Sequence, residues 1–438
     1  MTRQILPVPN PVPSYWLSEE SPLADLRSST RLPGKCGVAV IGAGLAGVLT
    51  AYRILQNSGT ESGGEHRDPE AGQKSPSSNA DGELTEKLSE CATSRNGGHV
   101  KEQVTTLLNL PCGAEQTGRK RVELQDYVER AMSDVKRVVE EEDLDCEFEL
   151  RRSYDVFTDA GDAGSVFQRY EDARKRGEAW TQNVSWVGEE RVEQITSIKS
   201  AKGAFSVRAA SFWPYKFVAG LLERMVKRWP DRLNVQMCTP VTLLTMSSSG
   251  ANVLVTDRGT LTVKKVVMAT NAYTAGLLPA FSGRIIPVRG TASHHAPQKP
   301  VNPHLNNMYN INFGPGKGVD YLNPRPDGGI VVGGGAWLFA HNVSSWRDNF
   351  DDAHLFPPHE IFLGWKDSGS VNDHVWTGIM GRTGDGQPFV GRVPGKSNMW
   401  VLARFNGGGM SLIAVAARTV GKMVSEEKGF EEGKRKGC

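Results

Sequence analysis

Gly37-Val-Ala-Val-Ile-Gly42-Ala-Gly44-Leu-Ala-Gly47 passes from an apolar run into a helical pattern that continues to about Gln56. The apolar residues predict a buried parallel strand, and the glycines after it have the spacing of a GxGxxG turn. In such a turn Gly42 permits the sharp bend, Gly44 lets the backbone approach a pyrophosphate, and Gly47 lets the helix pack closely on the strand. The helix N-terminus adds N–H groups and a positive dipole end. We therefore expect a dinucleotide site; the alternative is a glycine-rich turn in an ordinary strand–helix unit.

The segment after this helix departs from the pattern. A second strand ending in Asp or Glu, about 20 residues past the glycines, normally holds the ribose hydroxyls. Residues 57–91 contain no apolar run and are rich in Ser, Gly and charged residues, which predicts a disordered insert that replaces this strand. Glu65 and Asp68 have about the right spacing, but no strand is predicted to position either carboxylate.

Composition restricts the class of protein. The 438 residues allow two domains or one large composite domain, and 39% hydrophobic with 23% charged residues suits a globular chain. A net charge of +2 gives no reason to expect nucleic acid or a membrane surface as a partner. No secretory or membrane-spanning segment is found, so we expect a cytoplasmic protein. The six cysteines show no CxxC pair and no His–Cys metal spacing, so we expect reduced thiols and no metal.

Periodicity gives an outline of the remaining chain. Residues 1–36 are expected to form an irregular leader on the surface, and residues 122–143 have helical spacing. Short β runs with turns between them predict a small antiparallel meander. These runs are Asn234–Cys238, Val241–Met246, Ala251–Thr256 and Leu261–Val263. A separate apolar strand at 265–269 is expected to return the chain to the first domain, and a final strand at 399–405 precedes a helix at 412–424.

Several short segments, in this order, resemble one known family. They are Val40-Ile-Gly-Ala-Gly-Leu-Ala-Gly47, Arg95-Asn-Gly-Gly98, Ala269-Thr-Asn271-Ala-Tyr, Pro287-Val-Arg-Gly290, Asp320-Tyr-Leu-Asn-Pro-Arg325-Pro-Asp-Gly-Gly, Trp376-Thr-Gly-Ile-Met-Gly381, Asp385-Gly386 and Phe405-Asn-Gly-Gly-Gly-Met410. The chain, from about residue 10 to 425 with one gap, resembles the D-amino-acid-oxidase-like superfamily of FAD-dependent amine oxidoreductases. Within it, the resemblance is to the glycine/D-amino-acid oxidase and gamma-glutamylputrescine oxidase branch and to fungal proteins of that type.

The resemblance implies an α/β fold (α+β overall) with a Rossmann-like FAD-binding domain and a β-rich substrate-binding domain. The FAD-binding domain would be discontinuous and comprise residues 37–56, 92–110, 230–283 and 376–425. The substrate domain would comprise 120–229 and 284–375, and residues 426–438 would form a disordered tail.

The resemblance also implies a set of FAD-binding residues. The turn that holds the pyrophosphate would comprise Gly42, Ala43, Gly44, Leu45, Ala46 and Gly47, and the turn against the flavin would comprise Arg95, Asn96, Gly97, Gly98 and His99. Adenine would contact Val241, and the dinucleotide would pass Ala269, Thr270 and Asn271. The ribityl chain and flavin edge would be lined by Gly381, Asp385, Gly407, Gly408, Gly409 and Met410. Alternatives remain for four of them. Gly381 and Gly407 are also compatible with plain turns, Arg95 with a surface ion pair, and Asp385 with a tight turn.

The family reaction removes a hydride from the carbon that carries a neutral amine and transfers it to flavin N5, after which the imine hydrolyses. Tyr321 is the first candidate for a substrate contact, and an aromatic packing pair is the alternative. Arg325 and Arg289 are candidate carboxylate partners, because a guanidinium binds carboxylates bidentately; the alternative is a solvated strand end. His99 could contact the flavin or link to it covalently, or be an ordinary hydrogen-bonded histidine. Trp337 and Trp376 are expected in the core.

Four positions depart from the family pattern. Val331 stands where sarcosine-oxidase-like members place an oxygen-activating lysine, so oxygen or another acceptor stays open. Gly378 stands where some members have a flavin-linking cysteine. Gly408 replaces a frequent histidine, and Ser411 replaces a substrate-binding lysine of some members.

We therefore expect an FAD-dependent oxidoreductase that oxidises a C–N bond of an amine or amino-acid-like small molecule. Two alternatives stay open. One is an FAD-dependent enzyme acting on a non-amine metabolite of a biosynthetic pathway, and the other is a catalytically impaired relative without an intact ribose-binding strand.

Overall fold

The protein was analysed as a computed structural model that describes residue 7 and residues 11–58, 87–110, 114–335 and 361–426, with side chains from residue 118 in the third of these ranges. The insert carboxylates Glu65 and Asp68, the predicted core residue Trp337 and the predicted tail lie outside the described residues.

The described chain alternates between helices and short strands. The helices are α1 (Leu45–Asn57), α2 (Val104–Leu108), α3 (Ala114–Glu141), α4 (Ala160–Lys175), α5 (Glu189–Thr196), α6 (Pro214–Arg228), α7 (Thr274–Leu277) and α8 (Gly409–Glu426). The strands are β1 (Lys35–Ile41), β2 (His99–Lys101), β3 (Glu149–Phe157), β4 (Ser185–Val187), β5 (Gly203–Ser211), β6 (Val241–Met246), β7 (Asn252–Thr256), β8 (Gly259–Met268), β9 (Ile286–Ala296), β10 (Met308–Asn312), β11 (Val319–Pro324), β12 (Ile330–Gly334), β13 (Val371–Arg382), β14 (Phe389–Arg392) and β15 (Met399–Ala403).

The smaller sheet contains the glycine-rich turn. Its order is β14-β15-β8-β7-β6, and β1 pairs in parallel with β8. β8 also pairs in parallel with β15 and antiparallel with β7, so it joins the parallel part of the sheet to the meander. Within the described residues β1 has β8 as its one partner strand. One face of this sheet packs on α1, α3, α6 and α8, and the other buries an apolar cluster from β1, the meander and β15.

The larger sheet has the order β13-β9-β12-β11-β10-β3-β5-β2, with β4 on β5. Most neighbours are antiparallel, and β10 with β3 is a parallel pair. β2 and β13 belong to this sheet, although the sequence outline gave residues 92–110 and 376–425 to the FAD-binding domain. These two sheets with their helices confirm the predicted fold class. No helix among the described residues has the length and apolar character needed to cross a membrane.

The expectation of a leader on the surface is wrong at Tyr15 and Trp16. These residues lie in a 3-10 helix, Tyr15–Leu17, and Trp16 is fully buried. The Trp16 indole donates a hydrogen bond to the carbonyl of Asn96, 2.7 Å away, and the Trp213 indole donates to the Trp16 carbonyl at 2.8 Å. The leader is buried because it fills a space between distant segments that local composition does not reveal.

Two predicted strands also differ. Asn234–Cys238 forms no strand; its contact is an isolated bridge between Arg27 and Gln236, supported by a hydrogen bond from Met237 N to Leu26 O of 2.9 Å. The strands predicted at 261–263 and 265–269 form a single strand, β8. The charged pair between them does not interrupt it, because Lys264 is exposed and the Lys265 ammonium donates a 2.7 Å hydrogen bond to the Val424 carbonyl of α8.

Candidate FAD site

A long cleft opens where β1 ends and α1 begins. It encloses about 1220 Å³, part of it open to solvent, and it continues past the end of β8 to the start of α8. Segments that span positions 41–413 of the chain therefore share one cavity. Its walls comprise residues 41–46, 87, 89–93, 96, 241, 269–271, 273, 277, 379–381, 402, 405–407, 409, 410 and 413.

The glycine-rich turn is tightly packed at two glycine positions. Gly42 has φ of +115°, and a Cβ there would lie 2.6 Å from the Ala269 carbonyl oxygen. A Cβ on Gly44 would lie 2.8 Å from Thr93 Oγ1, which accepts a 3.0 Å hydrogen bond from Leu45 N at the start of α1. β1, β8 and the segment after residue 87 thus pack against one tight turn, whose residues 42–46 line the cleft.

Three hydrogen bonds hold the turn at Arg95–Gly98 in place. The buried Arg95 guanidinium donates to the carbonyls of Thr377, at 2.8 Å, and Glu90, at 2.9 Å. The Trp376 indole donates to the Arg95 carbonyl at 3.2 Å. Arg95 therefore fixes the turn that places Asn96 in the cleft wall, and it lies away from the surface.

The far wall is held by a second set of backbone contacts. Asn271 Oδ1 accepts a 2.9 Å hydrogen bond from Arg404 N, and a Cβ on Gly381 would approach this oxygen to 3.2 Å. The Arg404 side chain pairs with Asp385, whose own side chain is 67% exposed. Hydrogen bonds from Gln387 N and the Thr383 hydroxyl, with the charge of Arg404, lower the pKa of Asp385. Asp385 thus supports the wall from outside.

The family model described as FAD dependent oxidoreductase (DAO) matches residues 37–423. The chain belongs to the DAO family of FAD-dependent oxidoreductases. Its cofactor is FAD, and the cleft fits this group, because the glycine-rich turn and the N-terminus of α1 form part of its wall, where backbone N–H groups can meet a pyrophosphate.

Solved structures share the fold of this family member at low identity. Glycine oxidase from Geobacillus kaustophilus has a TM-score of 0.65 at 17% identity, covering 90% of this chain and 96% of its own. L-amino acid deaminase from Proteus vulgaris, with its specific insertion deleted, has a TM-score of 0.65 at 15% identity, with 94% and 96% coverage. L-alpha-glycerophosphate oxidase from Mycoplasma pneumoniae, with FAD bound, has a TM-score of 0.59 at 15% identity, with 90% and 96% coverage. A comparison with curated proteins gives no match.

The cleft brings together most of the FAD-binding residues that the sequence predicts. In the wall are Gly42, Ala43, Gly44, Leu45, Ala46, Asn96, Val241, Ala269, Thr270, Asn271, Gly381, Gly407, Gly409 and Met410. Outside the wall are Gly47, Arg95, Gly97, Gly98, His99, Asp385 and Gly408. Their individual roles toward FAD stay predictions.

Tyr321 and His99 form one aromatic pair behind the turn. Their ring centroids are 5.0 Å apart with planes at 74°, and a Cβ on Gly97 would lie 2.5 Å from a carbon of each ring. Burial, then the charge of Lys101, lowers the pKa of His99 well below its usual range, so the ring is neutral at pH 7. Burial raises the pKa of Tyr321, so its hydroxyl stays protonated. Both groups are neutral, and the two rings pack against Gly97, the residue after Asn96 of the cleft wall.

The two predicted carboxylate partners lie in different places. Arg325 is 1% exposed, pairs with Glu147 and donates to Ser211 Oγ at 3.0 Å. Its guanidinium carbon is 5.0 Å from the centre of the Trp16 ring. Arg289 is half-buried on β9 opposite Ile379, a cleft residue. Neither arginine lines the cleft, and Arg325 already has a carboxylate partner from the protein.

Sequence reasoning missed two charged residues of the wall. Glu90 is the one carboxylate and Lys87 the one ammonium among the described residues that line the cleft. Both lie near the end of residues 57–91, the predicted insert, where no helix or strand was predicted. Their position a few residues before the Arg95 turn could have indicated them, because a segment that leads into a cofactor-binding turn passes along the wall of the cleft.

Lys101 and Glu102 were missed as well. Lys101 Nζ is buried and donates a 2.8 Å hydrogen bond to the Tyr309 carbonyl, and burial lowers its pKa to about 7. Burial likewise raises the pKa of Glu102 to about 7. Lys101 lies two residues after His99 on β2, and Glu102 follows the end of that strand, so two titratable groups lie close to His99 in the chain.

Proposed function

We propose that this DAO-family oxidoreductase oxidises the C–N bond of an amine or amino-acid-like substrate. When bound, FAD supplies the hydride acceptor at N5. The observation that carries the proposal is the neutral pair His99 and Tyr321, packed on Gly97 of the turn that also contributes Asn96 to the cleft wall.

His99 is suited to a neutral amine. Its Nδ1 is buried and makes no well-aligned hydrogen bond among the described residues, although the backbone of Gly97 interacts with the ring. A neutral imidazole can accept a hydrogen bond from an amine N–H, whereas a protonated ring would repel an ammonium and could not accept. His99 would therefore orient the unprotonated amine, the form that can lose a hydride from its carbon.

Tyr321 would set the position of the substrate on the other side. Its oxygen packs against Gly333, where a Cβ would lie 2.1 Å away, and it makes no hydrogen bond within the described part of the chain. A protonated phenol can donate to a carboxylate or accept from an amine, and its ring excludes water from the reacting carbon. Orientation by such contacts is a large source of rate in reactions that need no dedicated base.

The test is an anaerobic substrate panel. The FAD-loaded protein is mixed with amino acids of both configurations, N-methyl amino acids and primary amines, and bleaching of the flavin absorbance is recorded. We expect bleaching by at least one nitrogen compound, and His99→Ala should slow it while retaining bound flavin. Bleaching by hydroxy compounds alone would overturn the proposal, as would a flavin-loaded protein that no nitrogen compound reduces.

A second candidate is oxidation of a C–O bond in a non-amine metabolite. The fold shared with glycerophosphate oxidase favours it. Glycerol phosphate and 2-hydroxy acids therefore belong in the panel. A third outcome, a protein that binds no FAD, would support the catalytically impaired alternative.

The same proposal includes a division into two domains and a family branch. The smaller sheet would belong to the FAD-binding domain and the larger sheet to the substrate domain, so that residues 376–382 pass to the substrate side. The glycine/D-amino-acid oxidase and gamma-glutamylputrescine oxidase branch, of fungal type, stays our proposed branch. Oxygen reduction, measured as peroxide release, would distinguish an oxidase from a dehydrogenase.

A further inference from the structure

A cluster of histidine and aspartate side chains lies on the larger sheet, outside the wall of the FAD cleft. It forms where β9 and β13 pair, with His374 opposite His294 and Asn372 opposite His295. Asp373 is the extra residue of a β-bulge between these two pairs. In a regular strand, successive side chains point to opposite faces, but a bulge re-aims one of them. Two consecutive residues of β13 therefore meet one histidine of β9.

The distances suit shared ligation of a cation. His294 Nδ1 is 2.7 Å from Asp373 Oδ1, and His374 Nδ1 is 3.4 Å from Asp373 Oδ2. One ligand atom from each of the three residues lies within 4.8 Å of the others. Two donors on one Zn²⁺, with bonds of about 2.0–2.2 Å, lie roughly 3–4 Å apart. Ligand atoms that are up to 4.8 Å apart must therefore approach one another by about an ångström for ligation.

The protein leaves His374 Nδ1 without a hydrogen bond although the atom is buried. A buried polar atom without a partner is uncommon and points to a bound water or ion. His374 and Asp373 have side-chain exposures of 29% and 34%, so an ion could reach them from solvent. An imidazole lone pair facing a carboxylate is a typical donor set for a divalent transition metal.

The His294 ring is held by contacts on one face and at its Nε2 edge. The Tyr15 ring stacks on it at 3.9 Å with planes at 10°, and Tyr15 also donates a 3.1 Å hydrogen bond to Asp327. Asp327 Oδ2 is 3.9 Å from His294 Nε2. A Cβ on Gly329 would lie 2.3 Å from this nitrogen, so Nε2 faces the backbone and Nδ1 faces the cluster. A ligating histidine usually has such a carboxylate near its second nitrogen.

We propose that His294, Asp373 and His374 bind one divalent cation of the zinc class, with water completing the coordination. The ion joins β9 to β13 and fixes the ring on which Tyr15 packs. The next residue, Trp16, donates to Asn96 of the cofactor turn, so the cation stabilises the leader against the FAD site. His294 and Asp373 are 79 residues apart in the sequence, so a search for closely spaced metal-binding residues does not find this set.

The test uses the full-length, FAD-loaded protein without an affinity tag. After chelator treatment and dialysis, Zn²⁺ is titrated in competition with a chelating indicator, and bound metal is measured by elemental analysis. Co²⁺ absorbance reports the coordination. The variants are His374→Ala and Asp373→Asn, whose side chains are partly exposed, and the matched control is His304→Ala on an exposed loop. His294→Ala does not decide the matter, because loss of the Tyr15 stack can itself disturb folding.

We expect one equivalent of Zn²⁺ in the wild type and in His304→Ala, with a rise in melting temperature. Loss of one ligand should weaken binding by at least roughly 10- to 100-fold and abolish the Co²⁺ spectrum. Substoichiometric uptake by the wild type would overturn the proposal. Equal uptake by all the variants would overturn it too, since the metal would then bind elsewhere, for example at cysteines.

Discussion

Replacing Glu90 by Gln is the sharpest test of how this chain holds the adenosine end of FAD. The structure describes no second strand beside β1 that could present a ribose carboxylate, and Glu90 is the one carboxylate among the described residues of the cleft wall. Gln keeps the size of the side chain and removes its charge. If Glu90 performs the role of the ribose carboxylate, this single change weakens FAD binding.

The expected size follows from the hydrogen bonds of a charged acceptor. Such a bond contributes about 1.5–3 kcal/mol, which corresponds to roughly 10- to 150-fold in Kd at 25 °C. Glu90 is half-buried, so solvent screens part of its charge. We therefore expect Glu90→Gln to raise the Kd for FAD by about 10- to 50-fold.

The assay titrates apoprotein with FAD and follows the change in flavin fluorescence. ADP, added as a competitor, reports the adenosine end alone, and FMN reports the flavin end. The Kd for ADP should rise with that for FAD, and the Kd for FMN should stay unchanged. Glu223→Gln is the matched control, because it makes the same charge change in an exposed pair with Lys227 on α6.

A Kd for FAD within twofold of wild type would refute the reasoning. Weakened FMN binding with unchanged ADP binding would refute it as well, because the carboxylate would then act on the flavin end. Either result would show that a group other than the Glu90 carboxylate holds the ribose.

Three further changes test contacts around the site. Thr93→Val removes the acceptor of the Leu45 N–H and should cost about 0.5–2 kcal/mol of unfolding free energy, measured in urea, with weaker FAD binding; unchanged stability would contradict it. Glu102 has its folded pKa raised from 4.5 to about 7, so its favourable contribution is complete below pH 4.5 and is lost as pH rises through 7. The free energy of unfolding of Glu102→Gln, relative to that of wild type, should therefore rise by up to about 3 kcal/mol between pH 5 and pH 8. Parallel pH profiles of stability for the two proteins would contradict this. Glu147→Gln leaves the Arg325 cation buried and should cost about 2–4 kcal/mol without changing KM, whereas a raised KM at unchanged stability would assign Arg325 to the substrate.

The features that the sequence predicts well are determined by neighbouring residues. The strand, turn and helix from Lys35 to Asn57 follow from an apolar run, three glycines and a helical period within 23 residues. The glycine-rich turn before α8 is equally local. Both turns line the same cleft, and most of the predicted FAD-binding residues lie in its wall.

The features that the sequence does not predict depend on distant partners. Trp16 is buried because it meets Trp213 and Arg325, both about 200 or more residues away. The ligand set at His294 exists because a bulge in β13 shifts Asp373 by one position, and no periodicity predicts a bulge there. Glu90 enters the cleft wall because Arg95 holds its carbonyl. In each case tertiary contacts determine the position, and the local pattern is silent.

The N-terminal segment explains how the cleft keeps its shape beside β1. Leu88 N donates a 2.9 Å hydrogen bond to the Ala24 carbonyl. Leu88 lies near the end of residues 57–91, the predicted insert. Met237 N donates to the Leu26 carbonyl at 2.9 Å, and Ser28 N donates to the Val235 carbonyl at 2.8 Å. Residues 24–28 thus connect the part of the cleft wall near Glu90 to residues 234–238, the segment that was predicted as a strand. Because each unpaired buried backbone group costs about 1–3 kcal/mol, these bonds make the leader a structural part of the FAD-binding core.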